Sequence, residues 1–350
     1  MCSTDGYMAQ DDLTKLPGVG ESTADSLAEA GYTSYMQIAT ASLGDLTADA
    51  SVGDTTARKI ISASQDLADV GGFESAADVL KQRSKVGKLK FNIETLDKLL
   101  GGGVETQSIT EFYGEFGSGK SQVTHQLSVN VQLAEENGGL GGRAVFIDSE
   151  DTFRPERIAE MVNGLPEEVR ESEFELRGLE GDFDSEEGRE LLVQNFLDFI
   201  HVAKAFNHGH QMLLVEKSKE IVETYHETDR PVRVMSVDSL MQHFRAEFPG
   251  RGKLAERQQK LNSHLHDMVR IAGIYNVAVI VTNQVASNPG QMFGDPTQPI
   301  GGHILGHTSN FRIYIRKSKE NKRVFRLVDA PNLADGEAIV RITGDGVVTE

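Results

Sequence analysis

The chain has 350 residues, 39% of them hydrophobic, and carries 53 acidic against 35 basic side chains for a formal charge of −18. That length fits one large domain plus a small one. No apolar run reaches the roughly 20 residues of a membrane-spanning helix, and no secretory leader is read at the start, so no membrane partner is expected. One cysteine, Cys2, excludes an internal disulfide and fits a reducing cytoplasm. The acidity fits a protein kept soluble in a very salty cytoplasm, as in a halophilic archaeon; the alternative is an ordinary acidic protein that repels nucleic acid.

Residues 1–70 hold eleven acids and three bases, net −8. Within them Val19-Gly20-Glu21-Ser22-Thr23-Ala24 is echoed 33 residues later by Val52-Gly53-Asp54-Thr55-Thr56-Ala57. Each copy opens a helix-like run, one ending near Gly31 and the other near Ala68. With Leu16-Pro17-Gly18 ahead of the first copy, the pair resembles two helix-hairpin-helix units. Such units aim backbone N–H groups at a phosphate and read no sequence. The negative charge keeps a small protein-contact domain open as the alternative. Gly71-Gly72 breaks the pattern. Residues 71–90 read as a linker that ends in a basic run, Lys81, Arg83, Lys85, Lys88 and Lys90.

From Phe91 strands and helices alternate. Compact apolar runs at Ala144–Asp148, Val232–Asp238 and Val277–Thr282 are those of buried parallel strands. Phe311–Ile315, Val324–Val328 and Ala338–Ile342 are later strands. The order predicts an α/β domain over 91–350 around a mostly parallel sheet, with ligands at the strands' carboxyl ends.

The strongest signal is the octapeptide Gly114-Glu115-Phe116-Gly117-Ser118-Gly119-Lys120-Ser121, a full G-x-x-x-x-G-K-S pattern. A strand at Ser108–Tyr113 precedes it and a helix at Gln122–Leu133 follows, which is the context a phosphate-binding loop needs. Its glycines let backbone N–H groups turn around phosphates, Lys120 adds a positive charge, and the Ser121 hydroxyl ligates Mg2+. A nucleoside triphosphate is therefore the expected ligand. Three other strand ends carry Asp238, Asp148 with Glu150, and Asn283 with Gln284. Asp238 suits a Mg2+-associated carboxylate, the second pair can orient a water, and the amides can sense a γ-phosphate.

Charge is uneven. Glu167–Glu190, with eleven acids and three arginines, reads as a solvated surface segment. Arg245–Lys260 holds five bases against two acids, and Arg312–Arg326 seven against one. Two basic stretches in so acidic a chain point to a confined electropositive groove.

Long segments then carry a resemblance: GEFGSGKSQ (114–122), FIDSEDTFRPERI (146–158), VDSL (237–240), FRAEFPGRGKLAERQQKL (244–261), VTNQV (281–285), DPTQPIGGHILGH (295–307) and DAPNLADGEA (329–338). The chain resembles the archaeal RadA recombinases of the RecA superfamily over nearly its whole length. The resemblance implies a RecA-like ATPase core that forms helical filaments on single-stranded DNA and pairs it with a homologous duplex in recombinational repair. Residues 114–122, with Gln122, would bind ATP. Lys120 would hold phosphates, Glu150 would be the general base, and Gln284 would link the γ-phosphate to a DNA loop. Ser121 and Asp238 would serve Mg2+, with K+ a candidate for the place of a basic side chain at the γ-phosphate. Arg157 would lie along the adenine. Asp329 and Pro331 would come from the next protomer and cap the nucleotide. Phe73 and Ala76 match an F-x-x-A polymerisation motif. Arg245, Arg251 and Arg257 match one DNA loop; Val285 to Ile300, with Met292 and Phe293, match a second, and Gly301 and Gly302, which follow it, are further implied DNA contacts. Recombination mediators are further implied partners. Ala334, His303 and Phe248 depart from the usual proline, asparagine and tyrosine. The alternatives are a regulatory paralogue that assists a true recombinase, and a RecA-like helicase.

Overall fold

The computed structural model describes residues 11–50, 52–68, 72–250, 252–287 and 297–350. They fall into two compact units, Met1–Lys85 and Val86–Glu350.

The smaller unit is helical: α1 (Glu21–Glu29), α2 (Tyr35–Ala39), α3 (Leu43–Asp49), α4 (Asp54–Leu67) and α5 (Ala76–Arg83). The sequence echo has a structural meaning. Its glycines, Gly20 and Gly53, are the N-caps of α1 and α4, and neither receives a side-chain cap. Leu16, Leu27, Ile38, Leu46 and Ile60 form the unit's core. The segment read as a linker is not irregular throughout, since Ser75 caps α5 through the Asp78 N–H.

The larger unit contains β1 (Lys88–Leu89), α6 (Glu94–Leu99), β2 (Val104–Glu105), β3 (Ser108–Gly114), α7 (Lys120–Asn130), β4 (Arg143–Asp148) and α8 (Pro155–Asn163). Then come α9 (Glu167–Leu176), α10 (Glu186–Asp198), β5 (Ile200–Lys204), α11 (His208–Tyr225), β6 (Val232–Asp238), α12 (Gln242–Glu247) and α13 (Leu254–Tyr275). The chain ends with β7 (Ala278–Ser287), β8 (Thr297–Pro299), α14 (Gly302–Thr308), β9 (Phe311–Lys317), β10 (Lys322–Asp329), β11 (Gly336–Thr343) and β12 (Gly346–Thr349). The unit starts at Val86 rather than 91, because Lys88–Leu89 pairs with Val104–Glu105.

The main sheet runs β12-β11-β10-β9-β3-β7-β6-β4-β5. From β9 to β5 every pairing is parallel; from β9 to β12 every pairing is antiparallel. Each central strand feeds both faces, as alternation requires. Phe146 of β4 joins the core with Phe112, Ile280 and Ile313, while Val145 and Ile147 join the opposite core with Val237 and Val281. Burial on both sides is why these strands read as unbroken apolar runs.

Three readings change. Helix α7 stops at Asn130 rather than Leu133, though Val131 and Leu133 remain buried. Strand β5 was not legible: at the sheet's edge its burial alternates. The acidic segment is not solvated throughout. Glu173 and Arg177 are buried and paired at 3.1 Å, and Glu173 also accepts from the Ala134 N–H and the Asn137 amide.

Candidate functional site

The phosphate loop joins β3, in the middle of the sheet, to α7. Gly117 and Gly119 take left-handed φ values of 69° and 108°, which side-chain-bearing residues rarely adopt. Gly114 has no room for a side chain either: a Cβ there would lie 2.2 Å from the Ile315 carbonyl oxygen. No side chain caps α7. Its first-turn N–H groups therefore need an external acceptor, and the positive end of the helix favours an anion. Lys120 Nζ folds back on the Gly114 and Glu115 carbonyls at 3.0 Å each. Burial pulls its pKa down, opposed by Asp238 and Glu150.

The strand ends converge here. A cleft of about 520 Å³ is lined by Phe116, Gly117, Gly119, Lys120, Ser121 and Gln122 from the loop and helix, with Glu150, Arg157 and Gln284 opposite. The Gln284 amide donates to Glu150 Oε1 at 2.8 Å. Asp148 does not face the cleft chemistry. Its oxygens accept from the N–H groups of Glu150, Thr152 and Phe153, so it shapes the turn that presents Glu150. Asp238 lies fully buried beneath the cleft. The Thr282 and Ser121 hydroxyls bond its carboxylate, and Thr152 Oγ1 lies 3.3 Å away. Burial pushes its pKa up, and those hydroxyls oppose the shift.

These features fit a nucleoside triphosphate with Mg2+. An uncapped helix N-terminus faces a cradle that only glycines permit, beside one hydroxyl and one buried carboxylate. Among the described residues no cluster of three or more His, Cys, Asp or Glu could cage a metal. The Ser121 hydroxyl and the Asp238 carboxylate suit Mg2+, which keeps waters and phosphate oxygens as most of its ligands.

Arg157 is spoken for. Its guanidinium donates to Gln122 Oε1 at 2.7 Å, Glu160 Oε2 at 2.6 Å, the Thr343 carbonyl at 2.6 Å and the Gly344 carbonyl. It ties α7 and α8 to the β11–β12 turn and walls the cleft. Asp329 and Pro331 lie away from this cleft. Register places Arg323 opposite Lys317 and Asp329 opposite Arg312, so Asp329 sits at the far end of β10. At roughly 3.3 Å per residue that is about 20 Å from Arg323, too far to touch the protomer's own phosphate loop.

Two residues of the second basic stretch, Lys317 and Arg323, lie beside this loop, while Arg312 pairs with Glu111 and Arg316 with Glu337. Arg323 lines the cleft and donates from Nε to the Ser118 carbonyl at 2.9 Å. Lys317 Nζ lies 2.9 Å from where a Cβ on Gly117 would stand. The sequence reading named neither; their signal was the basic run, read only as part of an electropositive groove. It also missed His125, whose Nδ1 donates to the Ser121 carbonyl at 2.5 Å while Nε2 accepts from the Arg154 N–H at 3.3 Å. Burial depresses its pKa and keeps the ring in that neutral form.

Of the expected DNA-contacting residues, Arg245 is exposed on α12 and Arg257 is half-buried on α13, 3.4 Å from the Phe248 carbonyl. Val285 is half-buried on β7 and pairs with Pro299 of β8. Gly301 and Gly302 start α14 with φ of 113° and 66°. Arg251, Met292 and Phe293 lie outside the described residues. Phe73 is fully exposed, and Ala76 opens α5, a helix with no buried residue. In the small unit Glu21 and Asp54 occupy the first turns of α1 and α4, putting a carboxylate where a phosphate would approach. No helix of the described residues is long and apolar enough to cross a membrane.

Comparison with known proteins matches this architecture. The Rad51 family profile covers residues 82–172 and 186–350, and a SAM-like helix-hairpin-helix tandem covers 11–66. The chain is 62% identical to a Haloferax volcanii protein over 343 residues, 98% of this chain and 100% of that one. It is 60% identical to a Haloquadratum walsbyi protein and 59% identical to one from Halobacterium salinarum, with the same coverage. All three bear the name DNA repair and recombination protein RadA, and their halophilic sources fit the reading of the charge. The chain belongs to the Rad51 family, with a RecA-like α/β core and a helix-hairpin-helix tandem at its N-terminal end.

Proposed function

We propose that this protein is an ATP-dependent recombinase of recombinational repair. It coats single-stranded DNA as a filament of its own copies and pairs that strand with a homologous duplex. The observation that carries the reading is the Gln284–Glu150 hydrogen bond inside the phosphate-loop cleft. It joins a carboxylate suited to activating water to the strand that leads into the 288–296 segment.

In this reading Lys120, the first-turn N–H groups of α7 and Arg323 hold the phosphates. Ser121 and Asp238 hold Mg2+ and its waters; when bound, the ion neutralises phosphate charge. Glu150 takes the proton of the attacking water on the oxygen Gln284 leaves free. Gln122 and Arg157 wall the base side of the cleft. Asp329 and Pro331, remote from their own loop, serve the cleft of the next protomer, and K+ is a further cation there. Phe73 and Ala76 join protomers. Arg245, Arg251, Arg257 and the 285–302 segment, with Met292 and Phe293, hold DNA mainly by its backbone.

The test is ATP hydrolysis by the wild type and by Lys120→Ala, with and without single-stranded DNA. Hydrolysis that needs Lys120 and rises with DNA is expected. DNA-indifferent hydrolysis by the folded wild type contradicts the reading.

A further inference from the structure

Successive residues of β7 point to opposite faces. Gln284 reaches into the cleft, and its neighbour Asn283 reaches away from it. Asn283 Nδ2 donates to Glu111 Oε1 at 2.8 Å and to the Ile300 carbonyl. Glu111, on β3, is wholly buried, and its other oxygen accepts from Arg312 Nε at 2.8 Å. Ile300 is gripped a second time, its N–H donating to the Gln284 carbonyl at 3.1 Å. Arg312 also abuts α14: a Cβ on Gly306 would stand 3.2 Å from its Nη1. One buried carboxylate thus stands behind both chain segments that flank residues 288–296.

The plain alternative is a buried ion pair that only holds the sheet. Apolar side chains of similar volume would do that at least as well, because burying charge is costly. Here both carboxylate oxygens serve groups that fix the ends of one loop. We infer that Glu111, Arg312 and Asn283 are positioning residues that couple the cleft to this loop. They lock Ile300 and Gly301 to β7, so a change at the Gln284–Glu150 bond moves the start of α14 instead of being lost in slippage between the two segments. This deepens the recombinase reading and rests on it.

Glu111→Gln and Arg312→Lys in the full chain test the coupling. ATP hydrolysis is followed with and without single-stranded DNA, beside KM for ATP and thermal unfolding. The wild type must first show DNA stimulation; if it does not, the recombinase reading itself fails. In Glu111→Gln, KM and the DNA-free rate are expected to stay within about twofold while the DNA stimulation falls about tenfold, a typical coupling between two sites. Arg312→Lys keeps the charge on Glu111 and is expected to retain part of the stimulation. Unchanged stimulation in Glu111→Gln, or an equal fall in both rates, overturns the inference. Should Glu111→Gln not fold, Arg312→Lys carries the test: a selective fall in the stimulation is expected there too, and unchanged stimulation overturns the inference.

Discussion

Gln284 donates its side-chain amide to Glu150 Oε1 at 2.8 Å, joining the end of β7 to the turn after β4 across the phosphate loop. One oxygen of Glu150 is thereby held in place and the other is left for a water. Glu150→Gln keeps the shape but cannot take a proton. It should bind ATP near the wild-type affinity and hydrolyse it about 10²–10⁴-fold more slowly, the usual worth of a general base. Single-turnover hydrolysis beside equilibrium ATP binding reads both; hydrolysis within threefold of wild type would remove Glu150 from the role.

Gly119 caps α7 at φ 108°, and a Cβ there would meet Ile342 Cδ1 at 2.4 Å. Gly119→Ala should lose about 1–3 kcal/mol from the strained backbone alone and weaken ATP binding as the loop shifts. Thermal melts with and without ATP and Mg2+ check this. A variant as stable as the wild type, with full ATP stabilisation, rules it out.

The buried Glu173–Arg177 pair is needed although it lies far from the cleft chemistry. Glu173→Ala takes the acceptor from Arg177 Nε and from the Ala134 N–H and leaves the buried guanidinium charge unpaired, although Nη1 and Nη2 keep Asn195 Oδ1 and the Gln132 carbonyl. Removing one partner of a buried pair costs about 3–5 kcal/mol. Urea unfolding of the variant should show a loss of that size, and a loss under about 1 kcal/mol contradicts the packing described.

Acid lability has a specific source in His264, whose pKa burial lowers to about 3, with His208 adding to the fall. The unfolded ring titrates near 6.5, so between about pH 6.5 and 3 the unfolded chain binds one more proton than the fold. Stability from this group is complete above pH 6.5 and falls by about 1.4 kcal/mol per pH unit as the solution is acidified. His264→Gln should flatten that limb in unfolding experiments at pH 7, 6 and 5. An unchanged slope shows that other groups set it.

Phe73 is fully exposed, so in the proposed filament its ring is available to a neighbouring protomer. Phe73→Glu should sediment as a monomer, and in molar KCl it should not bind single-stranded DNA. High salt removes most of the gain from counterion release, which leaves filament cooperativity to supply the affinity. Tight binding by the monomeric variant breaks that link.

Much of this was legible in the sequence for a physical reason. Strands buried on both faces are largely apolar, so β4, β6 and β7 stand out, and a loop that wraps phosphate must carry glycine at fixed places. What failed to show was decided by neighbours distant in the chain. The Asn283–Glu111 bond spans 172 residues. Glu173 looks solvated until the Ala134 N–H and Arg177 are seen around it. Lys317 and Arg323 form a basic run whose target, the phosphate loop, is set by the β3–β9–β10 pairing. Strand β5, I-H-V-A-K at the sheet edge, lacks the apolar run that marked the others.

The central claim is that the ATP cleft drives homologous pairing, and strand exchange between single-stranded DNA and a homologous duplex tests it most directly. The reaction is run with ATP and Mg2+ in molar KCl, with Lys120→Ala beside the wild type. Joint products that require homology and vanish in the variant are predicted. A folded, ATP-binding wild type that yields none would contradict the account and leave a regulatory member of the family.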